Sequence, residues 1–410
     1  MKKILAIIMS LAMLIGVCSL AGCKNTDPNT PSGGNKVNYK VAMITDYGDI
    51  TDQSFNQTTY EACKAFCDEY KLEFNYFKPS GDSTAERVAM VEKAVDEGYN
   101  VIVMPGYAFG GTIVEAAPKY KDVKFIALDV AKGDLLEAGV TAKGEKYDYE
   151  PDNWDLAKYA DLSNVYCAIY QEELCGYMAG YAAVKLGYTK LGFLGGMQVP
   201  AVVRYGYGFV QGVDAASKEL NIKTTMKFAY GNQFYGDADI TAAMETWYKG
   251  GVEVVFACGG GIYTSAVDAA KKFEGSKVIG VDVDQQGIIA QYAAGKDNDP
   301  EPYKSLTVTS AMKGLYPTTY DTLKDVIING NWSNYVGKIQ TLGLVSADDP
   351  TVNYVQIPDK TTQFVDGKFT LDDYKDLVKK LYDKTIVVSN NTKTEPTVEN
   401  VKVEYLGNLK

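Results

Sequence analysis

Short apolar runs rich in β-branched residues alternate with longer amphipathic stretches from Lys40 onward. The runs have the length of strands, and the stretches between them show the hydrophobic period of helices. Strands and helices that alternate in this way form parallel sheets covered on both faces. The expected strands lie at residues 40–44, 72–77, 101–104 and 123–128, and in a second set at 165–169, 190–194, 223–228, 254–257 and 277–281. We therefore predict an α/β protein with two doubly wound parallel-sheet lobes joined by a hinge.

The later segments 306–311 and 337–344 and a helix near 371–382 are expected to complete both lobes. Residues 131–163 are rich in Lys, Asp, Glu, Gly and Tyr without a clear period, so they are interpreted as a surface insertion. In residues 391–410, valine alternates with charged positions, which fits either an added strand or a loose tail. We expect one two-lobed domain over residues 40–390, with a first lobe at about 40–165 and 303–335, a second at about 166–302 and 336–390, and a tail at 391–410.

The first 22 residues have the pattern of a lipoprotein signal peptide. Lys2 and Lys3 precede an uncharged apolar run, and Leu20-Ala21-Gly22-Cys23 resembles a bacterial lipobox. Cleavage before Cys23 would leave a lipid on its sulfur and hold the protein at the extracytoplasmic face of the cell membrane. Residues 23–39 then form a polar tether. The alternative is an ordinary secretory signal in which this cysteine is incidental.

The charge balance argues against nucleic acid as a partner. The chain of 410 residues carries 41 Lys and Arg against 52 Asp and Glu, a formal net charge of -11. A phosphate backbone requires a basic surface, and this composition does not offer one.

Histidine is absent from the sequence, which removes the commonest general base and every Ser-His-Asp or Cys-His mechanism. We therefore expect a protein that is not an enzyme and that needs no cofactor or metal. Two alternatives use the acidic residues Asp46, Asp49 and Asp52, which would suit a carboxylate hydrolase or a calcium site. Five cysteines lie beyond the signal, and Cys63 and Cys67 fit one buried helix face.

Polar and aromatic residues follow the first expected strand, where parallel α/β sheets bind their ligands. The spacing of Ser54 and Gln57 matches a capping box, so a helix is expected to start at Ser54. Phe55 and Asn56 would then face the cleft, where a phenyl ring can stack on a heterocycle and an amide can bind its edge. Alternatively, Phe55 packs on the core of its own lobe.

Four ordered motifs resemble the basic membrane protein family of substrate-binding lipoproteins. Asp52-Gln53-Ser54-Phe55-Asn56 is similar to its D-x-S-F-N signature. The other three are Gly195-Gly196-Met197-Gln198-Val199-Pro200 with Arg204-Tyr205-Gly206-Tyr207-Gly208-Phe209 and Gly212, then Val278-Ile279-Gly280-Val281-Asp282-Val283-Asp284-Gln285, and Ser310-Ala311-Met312-Lys313. The similarity spans residues 40–344.

This resemblance implies a periplasmic-binding-protein-like fold of type I and a monomer that delivers purine nucleosides to the permease subunits of an ABC transporter. By position, Phe55 would stack on the base, and Asp46 and Asn56 would bind its edge. Asp129, Asp282 and Lys313 match the ribose-binding positions of the family, and Phe234 would form a second aromatic wall, although residues 231–237 depart from the family pattern. Gly259 and Gly260 would provide either a close backbone approach to the ligand or a tight turn.

Carboxylates can accept hydrogen bonds from two vicinal hydroxyls, and the ammonium of Lys313 can donate. Three carboxylates and one lysine leave the site negative, so a neutral nucleoside is expected and a phosphorylated one is disfavoured. Asp284 is expected to cap the helix that follows. The alternatives are a receptor for a sugar or another small polar solute, and a sensor for a signalling system.

Overall fold

The computed structural model describes residues 38–410, so the signal peptide, Cys23 and nearly all of the tether lie outside the described residues. Residues 39–410 form one compact unit. Within the described part of the chain, no helix combines the length and the apolar character that a membrane span requires.

The first lobe is a six-stranded parallel sheet. Its strands are β1 (Lys40–Ile44), β2 (Glu73–Phe77), β3 (Val101–Pro105), β4 (Lys124–Leu128), β5 (Val165–Tyr170) and β11 (Ile339–Leu342). They are arranged in the order β11-β5-β4-β3-β1-β2. The helices that cover this sheet are α1 (Phe55–Tyr70), α2 (Thr84–Asp96), α3 (Phe109–Ala116), α4 (Lys132–Ala142) and α10 (Leu315–Leu323).

The second lobe is a seven-stranded sheet, parallel except for one short edge strand. Its strands are β6 (Lys190–Gly195), β7 (Thr224–Tyr230), β8 (Val254–Cys258), β9 (Lys277–Asp282), β10 (Thr307–Lys313), β12 (Val355–Gln356) and β13 (Val401–Asn408). Their order is β12-β10-β9-β8-β6-β7-β13, with β12 antiparallel to β10. The helices are α5 (Glu172–Leu186), α6 (Pro200–Leu220), α7 (Ala238–Lys249), α8 (Tyr263–Ala270), α9 (Gln286–Ala294) and α11 (Leu371–Tyr382). The two doubly wound parallel-sheet lobes of the α/β prediction are therefore confirmed.

The pairing of three strands moves the predicted lobe boundaries. Strand β5 pairs with β4, so residues 165–170 belong to the first lobe and not to the second. Strand β10 pairs with β9, which moves residues 307–313 from the first lobe to the second. Strand β11 pairs with β5, which moves residues 339–342 to the first lobe. The prediction was wrong at these strands because a local pattern identifies a strand and does not say which sheet it joins.

Three crossovers connect the lobes and lie side by side. The backbone N–H of Gln171, between β5 and α5, donates to the carbonyl of Leu342 at 2.9 Å. The N–H of Gly314, directly after β10, donates to the carbonyl of Tyr354 at 2.7 Å. These bonds hold the three connections together, and this is the arrangement expected of a hinge between the lobes.

The segment 131–163 contains a helix that the sequence analysis missed. Helix α4 buries Leu135, Leu136, Gly139 and Val140, and residues 143–163 continue in turns and two short 3-10 helices, Pro151–Asn153 and Leu156–Lys158. Its short apolar stripe is interrupted by Lys132, Asp134, Glu137 and two glycines, which obscures the helical period in the sequence. At the end of the chain, β13 pairs in parallel with β7, so these residues form an added strand, the first of the two alternatives.

Four glycines allow α5 and α6 to pack backbone against backbone. A Cβ on Gly176 or Gly180 would lie 2.2 or 2.3 Å from the carbonyl oxygens of Tyr205 and Phe209. A Cβ on Gly208 or Gly212 of the facing helix would lie 2.1 Å from a carbonyl oxygen of α5. No side chain fits in these gaps, and the close approach places the first turn of α5 beside the first turns of α6.

Candidate functional site

A cavity of about 410 Å³ lies between the lobes, at the carboxyl ends of the central strands of both sheets. Its size is within the range of small-molecule sites. The residues that line it include all nine positions to which the sequence analysis gave a ligand-binding role: Asp46, Phe55, Asn56, Asp129, Phe234, Gly259, Gly260, Asp282 and Lys313. The structure thus brings together residues that are spread over most of the chain.

The first turn of α1 is capped by Asp52 and not by Ser54. The helix begins at Phe55, one residue after the predicted start at Ser54, and the Ser54 side chain makes no capping bond. The carboxylate of Asp52 instead accepts from the backbone N–H groups of Ser54, Asn56 and Gln57 at 2.9–3.0 Å. Burial raises the pKa of Asp52 to about 6, although these bonds favour its charged form. The capping-box interpretation was wrong because a carboxylate two residues earlier satisfies the same amides.

Two carboxylates set the orientation of the Asn56 amide. Its Nδ2 donates to Asp46 and to Asp52 at 3.3 Å each. Because carboxylates accept from a nitrogen and repel an oxygen, Oδ1 must point the other way. That oxygen is buried and has no hydrogen-bond partner within the described residues. Asp46 also accepts from the N–H groups of Tyr47 and Gly48 at 2.7 Å, and burial raises the pKa of Asp46.

Two phenyl rings line the cavity from opposite lobes. Phe55 is half-buried and packs partly on the main core, and the Nζ of Lys313 lies 4.7 Å from its ring centroid. Phe234 faces Tyr47 of the first lobe, with the ring centroids 6.5 Å apart and the planes at 26°. The ring of Phe55 therefore contacts the core and also lines the cavity.

The glycine turn after β8 makes room for Phe234. Gly259 and Gly260 have φ values of +136° and +49°, where a residue with a side chain is strained. A Cβ on Gly259 would lie 2.7 Å from the ring of Phe234, and one on Gly196 would lie 2.3 Å from it. The turn is thus a tight turn that also supports the second ring.

Asp129 and Asp282 occupy equivalent positions in the two lobes. Asp129 directly follows β4, and Asp282 ends β9. Both have left-handed backbone, with φ at +61° and +64°. Such strain in a non-glycine residue persists only where surrounding contacts impose it, and it is concentrated at ligand sites.

The two carboxylates differ in how many of their acceptors are occupied. The Oδ2 of Asp282 accepts from Ser54 Oγ at 2.6 Å, and its Oδ1 accepts from Tyr205 Oη at 3.2 Å. The Oδ2 of Asp129 accepts from Lys313, whereas its Oδ1 is buried with no partner within the described residues. Asp129 therefore keeps one unoccupied acceptor at the cavity wall, and Asp282 connects the lobes. Asp284, two residues later, accepts from the N–H of Gln286 at the start of α9, as expected of a capping residue.

Lys313 is the centre of a buried ionic network. Its Nζ lies 2.5 Å from Asp129, 3.5 Å from Glu172 and 3.7 Å from Asp282. These three carboxylates outweigh the desolvation of the ammonium and hold the pKa of Lys313 well above its usual value. Desolvation raises the pKa of Asp129 to about 6 against the opposing effect of Lys313, so the pair is ionised at neutral pH.

Several residues of this site were not assigned a role from the sequence. Arg204 and Tyr205 line the cavity, and both belong to a motif that carries the family resemblance, which was the available signal. Asp134 also lines it, and burial raises its pKa to about 7. Ser54 lies inside the first motif. Glu172 belongs to none of the four motifs, and nothing near it in the sequence indicates that it contacts Lys313.

Of the three acidic residues near Gly48, Asp46 and Asp52 share the Asn56 amide as a donor, and Asp49 lies apart from them. Asp49 pairs with Lys78 at 2.7 Å, while Asp46 and Asp52 accept from separate backbone amides. Across residues 38–410, no group of three or more Asp, Glu, Cys or His side chains is placed to hold a metal ion. The five cysteines of this part of the chain, which are Cys63, Cys67, Cys167, Cys175 and Cys258, are all buried and free.

Comparison with known proteins agrees with this architecture. Residues 39–391 match the family described as "ABC transporter substrate-binding protein PnrA-like". The chain is 26% identical to the "ABC transporter nucleoside-binding protein BmpA" of Lactococcus lactis subsp. cremoris, over 90% of this chain and 99% of that protein. It is also 26% identical to "Basic membrane protein A" of Borreliella burgdorferi, over 70% of this chain and 72% of that one.

Solved structures show the same fold. A solute-binding protein of an ABC transporter system from Aeropyrum pernix K1 aligns with a TM-score of 0.60 at 19% identity, over 85% of this chain and 87% of that one. Another from Conexibacter woesei aligns with a TM-score of 0.59 at 21% identity, over 86% and 99%. With the family matched over most of its length, the chain belongs to the PnrA-like substrate-binding proteins of ABC transporters.

Proposed function

We propose that this protein is a receptor for purine nucleosides, held outside the cytoplasm by a lipid on Cys23, that delivers its ligand to the permease subunits of an ABC transporter. The observation that carries the ligand assignment is the pairing, in one cavity, of aromatic rings with unoccupied acceptors. Phe55 and Phe234 line the cavity from the two lobes, and Asp129 Oδ1 and Asn56 Oδ1 are buried without a partner among residues 38–410. A nucleoside provides both a flat ring and the N–H and O–H donors that such acceptors require.

The charge of the site supports a neutral ligand. Six carboxylates line the cavity, Asp46, Asp49, Asp52, Asp129, Asp134 and Asp282, against the three cations Lys78, Arg204 and Lys313. A phosphate group would meet these carboxylates at low dielectric, where repulsion between like charges is strong. A nucleoside is therefore the better candidate than a nucleotide.

The lipobox and the names of two relatives support the proposed location. Proteins of Pyrococcus abyssi and Pyrococcus horikoshii that are 26% and 25% identical to this chain are both named lipoproteins. A lipid on Cys23 would be tested by mass spectrometry of the protein extracted from membranes and of a Cys23→Ala variant. A lipid adduct on the wild type alone supports the anchor, and a wild-type protein without the adduct contradicts it.

Binding is tested by thermal unfolding of the purified protein with inosine, guanosine or adenosine, and separately with arabinose or galactose. A ligand that binds only the folded state raises the melting temperature according to its affinity. We expect an increase of several degrees with nucleosides at concentrations of about 100 Kd. An increase with a sugar and none with any nucleoside would replace the assignment with that of a sugar receptor. Phe55→Ala provides a second test, since losing a stacked base should cost about 1–3 kcal/mol.

A further inference from the structure

Glu172 is a fully buried carboxylate at the hinge. It is the first residue of α5 and follows the crossover that leaves β5 at Tyr170. Lys313 is the last residue of β10 and directly precedes the next crossover at Gly314. The two residues are separated by 141 positions in sequence, yet Glu172 Oε1 lies 3.5 Å from Lys313 Nζ.

Both oxygens of Glu172 are occupied by cations that line the cavity. Oε1 accepts from Lys313, and Oε2 accepts from Arg204 Nε at 2.6 Å. Lys313 and Arg204 belong to the cavity lining, whereas Glu172 does not. Glu172 therefore lies behind the two cations and orients them from the side opposite the ligand.

The partners of Lys313 differ in how lobe motion affects them. Asp129 follows β4 of the first lobe and Lys313 ends β10 of the second, so a separation of the lobes would lengthen their short contact. Glu172 and Lys313 both border the hydrogen-bonded crossovers, which move least in a hinge motion. We therefore expect the contact with Glu172 to be kept when the lobes separate.

An ammonium on a four-carbon chain needs such a partner to hold one position. Lys313 Nζ lies 4.7–5.6 Å from the ring centroids of Phe55, Tyr170 and Tyr205, which limit its access to water. A lysine that loses a partner here rotates toward another carboxylate, because a buried charge is costly without one.

We propose that Glu172 is a positioning residue, which holds Lys313 at the hinge in the orientation that binds the ligand. This inference rests on the proposed function only in the identity of the ligand, since the contact between Glu172 and Lys313 does not depend on it.

The test compares Glu172→Gln with its neighbour. Glu173 is also buried in the first turn of α5, and its Oε2 has no partner within the described residues, so Glu173→Gln removes a carboxyl without breaking an ion pair. Inosine binding is measured by titration calorimetry in both variants. We expect Glu172→Gln to lose about tenfold or more in affinity, the scale of one charge-assisted hydrogen bond, and Glu173→Gln to bind within about twofold of the wild type.

A double-mutant cycle separates positioning from a general structural effect. In a Lys313→Met background, Glu172→Gln should cost several-fold less affinity than in the wild type, because the residue through which it acts is absent. An equal loss in both backgrounds would overturn the proposal and indicate that Glu172 acts through Arg204 or through folding. Glu172→Asp provides a milder variant, in which a shorter side chain retracts from Lys313 and a smaller loss is expected.

A measurement without ligand keeps the two proposals separate. The buried ammonium of Lys313 can be followed by its ¹⁵Nζ resonance, assigned with Lys313→Met. Glu172→Gln should shift or broaden this resonance, and Glu173→Gln should leave it in place. An unchanged resonance in Glu172→Gln overturns the positioning role whether or not inosine binds. A shifted resonance in a protein that binds no nucleoside supports the positioning role while the proposed function fails.

Discussion

Ser54 of the first lobe donates a hydrogen bond of 2.6 Å to Asp282 of the second. Beside it, the Nε2 of Gln285 donates to the carbonyl of Gln53 at 3.2 Å, so the two lobes contact each other directly next to the cavity. The Ser54 hydroxyl occupies the position at which a capping residue would bond the start of α1, and it bonds across the cleft instead. Asp52 therefore caps α1, and Ser54 forms the contact between the lobes.

Because Ser54 bonds the other lobe while Ser83 caps a helix, we expect alanine at Ser54 to lower ligand affinity and alanine at Ser83 to lower folding stability. Ser54→Ala leaves a buried carboxylate oxygen without its donor in the closed state, which costs about 1–3 kcal/mol there, so inosine affinity should fall about tenfold. If the lobes are apart without ligand, its melting temperature in that state should change little, since Asp52 still caps α1. Affinity is measured by calorimetry, and lobe closure by the radius of gyration in solution scattering.

Ser83 is the matched control. Its side chain accepts from the N–H of Glu86 and caps α2, so this bond lies within the first lobe. Ser83→Ala should cost about 1 kcal/mol of folding stability and leave inosine affinity unchanged. If both variants lose stability and neither loses affinity, Ser54 does not contribute to closure.

Much of this site could be predicted from the sequence, because its residues directly follow strands that the hydrophobic pattern identifies. Asp129 and Asp282 are examples, since each stands at the carboxyl end of a run of buried residues. The cap at Asp52 could not be separated from Ser54, because both side chains are within reach of the same amides. Glu172 was missed because its partner is 141 residues away and the hinge that joins them is defined only in the folded state.

The pH dependence of stability should be unusual for an acidic protein. Burial raises the pKa values of Asp52 to about 6 and of Asp134 and Glu173 to about 7. The folded state therefore binds protons that the unfolded chain does not bind, and stability should rise as the pH falls from about 8 to about 4. Asp161 and Asp237 have pKa values lowered to about 2 by hydrogen bonds, so stability should fall again at lower pH.

Melting temperatures measured at pH values between 8 and 3 test the predicted direction of the change in stability. Asp134→Asn removes one of the raised groups, so its melting temperature should change less than that of the wild type between about pH 8 and 5. If the wild-type stability instead decreases steadily from neutral pH downward, burial does not raise the pKa values of these carboxyls.

Gly196 is predicted to control the second aromatic wall. A Cβ at this position would lie 2.3 Å from Phe234 and 3.2 Å from the carbonyl oxygen of Gln233, so Gly196→Ala must displace the ring. If Phe234 stacks on a base, inosine affinity should fall about tenfold, in line with a stacking contribution of about 1–3 kcal/mol. Gly287→Ala is the control, because its Cβ meets nothing within 4 Å. A Gly196→Ala variant that binds inosine as the wild type does would exclude Phe234 as a wall.

Asp129 is predicted to bind the pentose through its unoccupied oxygen. An analogue without the pentose hydroxyls separates this role from the contact of Asp129 with Lys313. Asp129→Asn keeps the shape of the side chain and removes its charge, so it weakens both the acceptor and the contact with Lys313. Affinity for inosine should fall about 10- to 100-fold, the range of a lost charge-assisted hydrogen bond. Affinity for 2′,3′-dideoxyinosine should already be low in the wild type and change less than threefold in the variant, because the hydroxyls that Asp129 would accept from are absent. Calorimetry with both ligands measures the coupling. Equal losses for the two ligands would mean that Asp129 stabilises the closed cavity through Lys313 and does not contact the sugar.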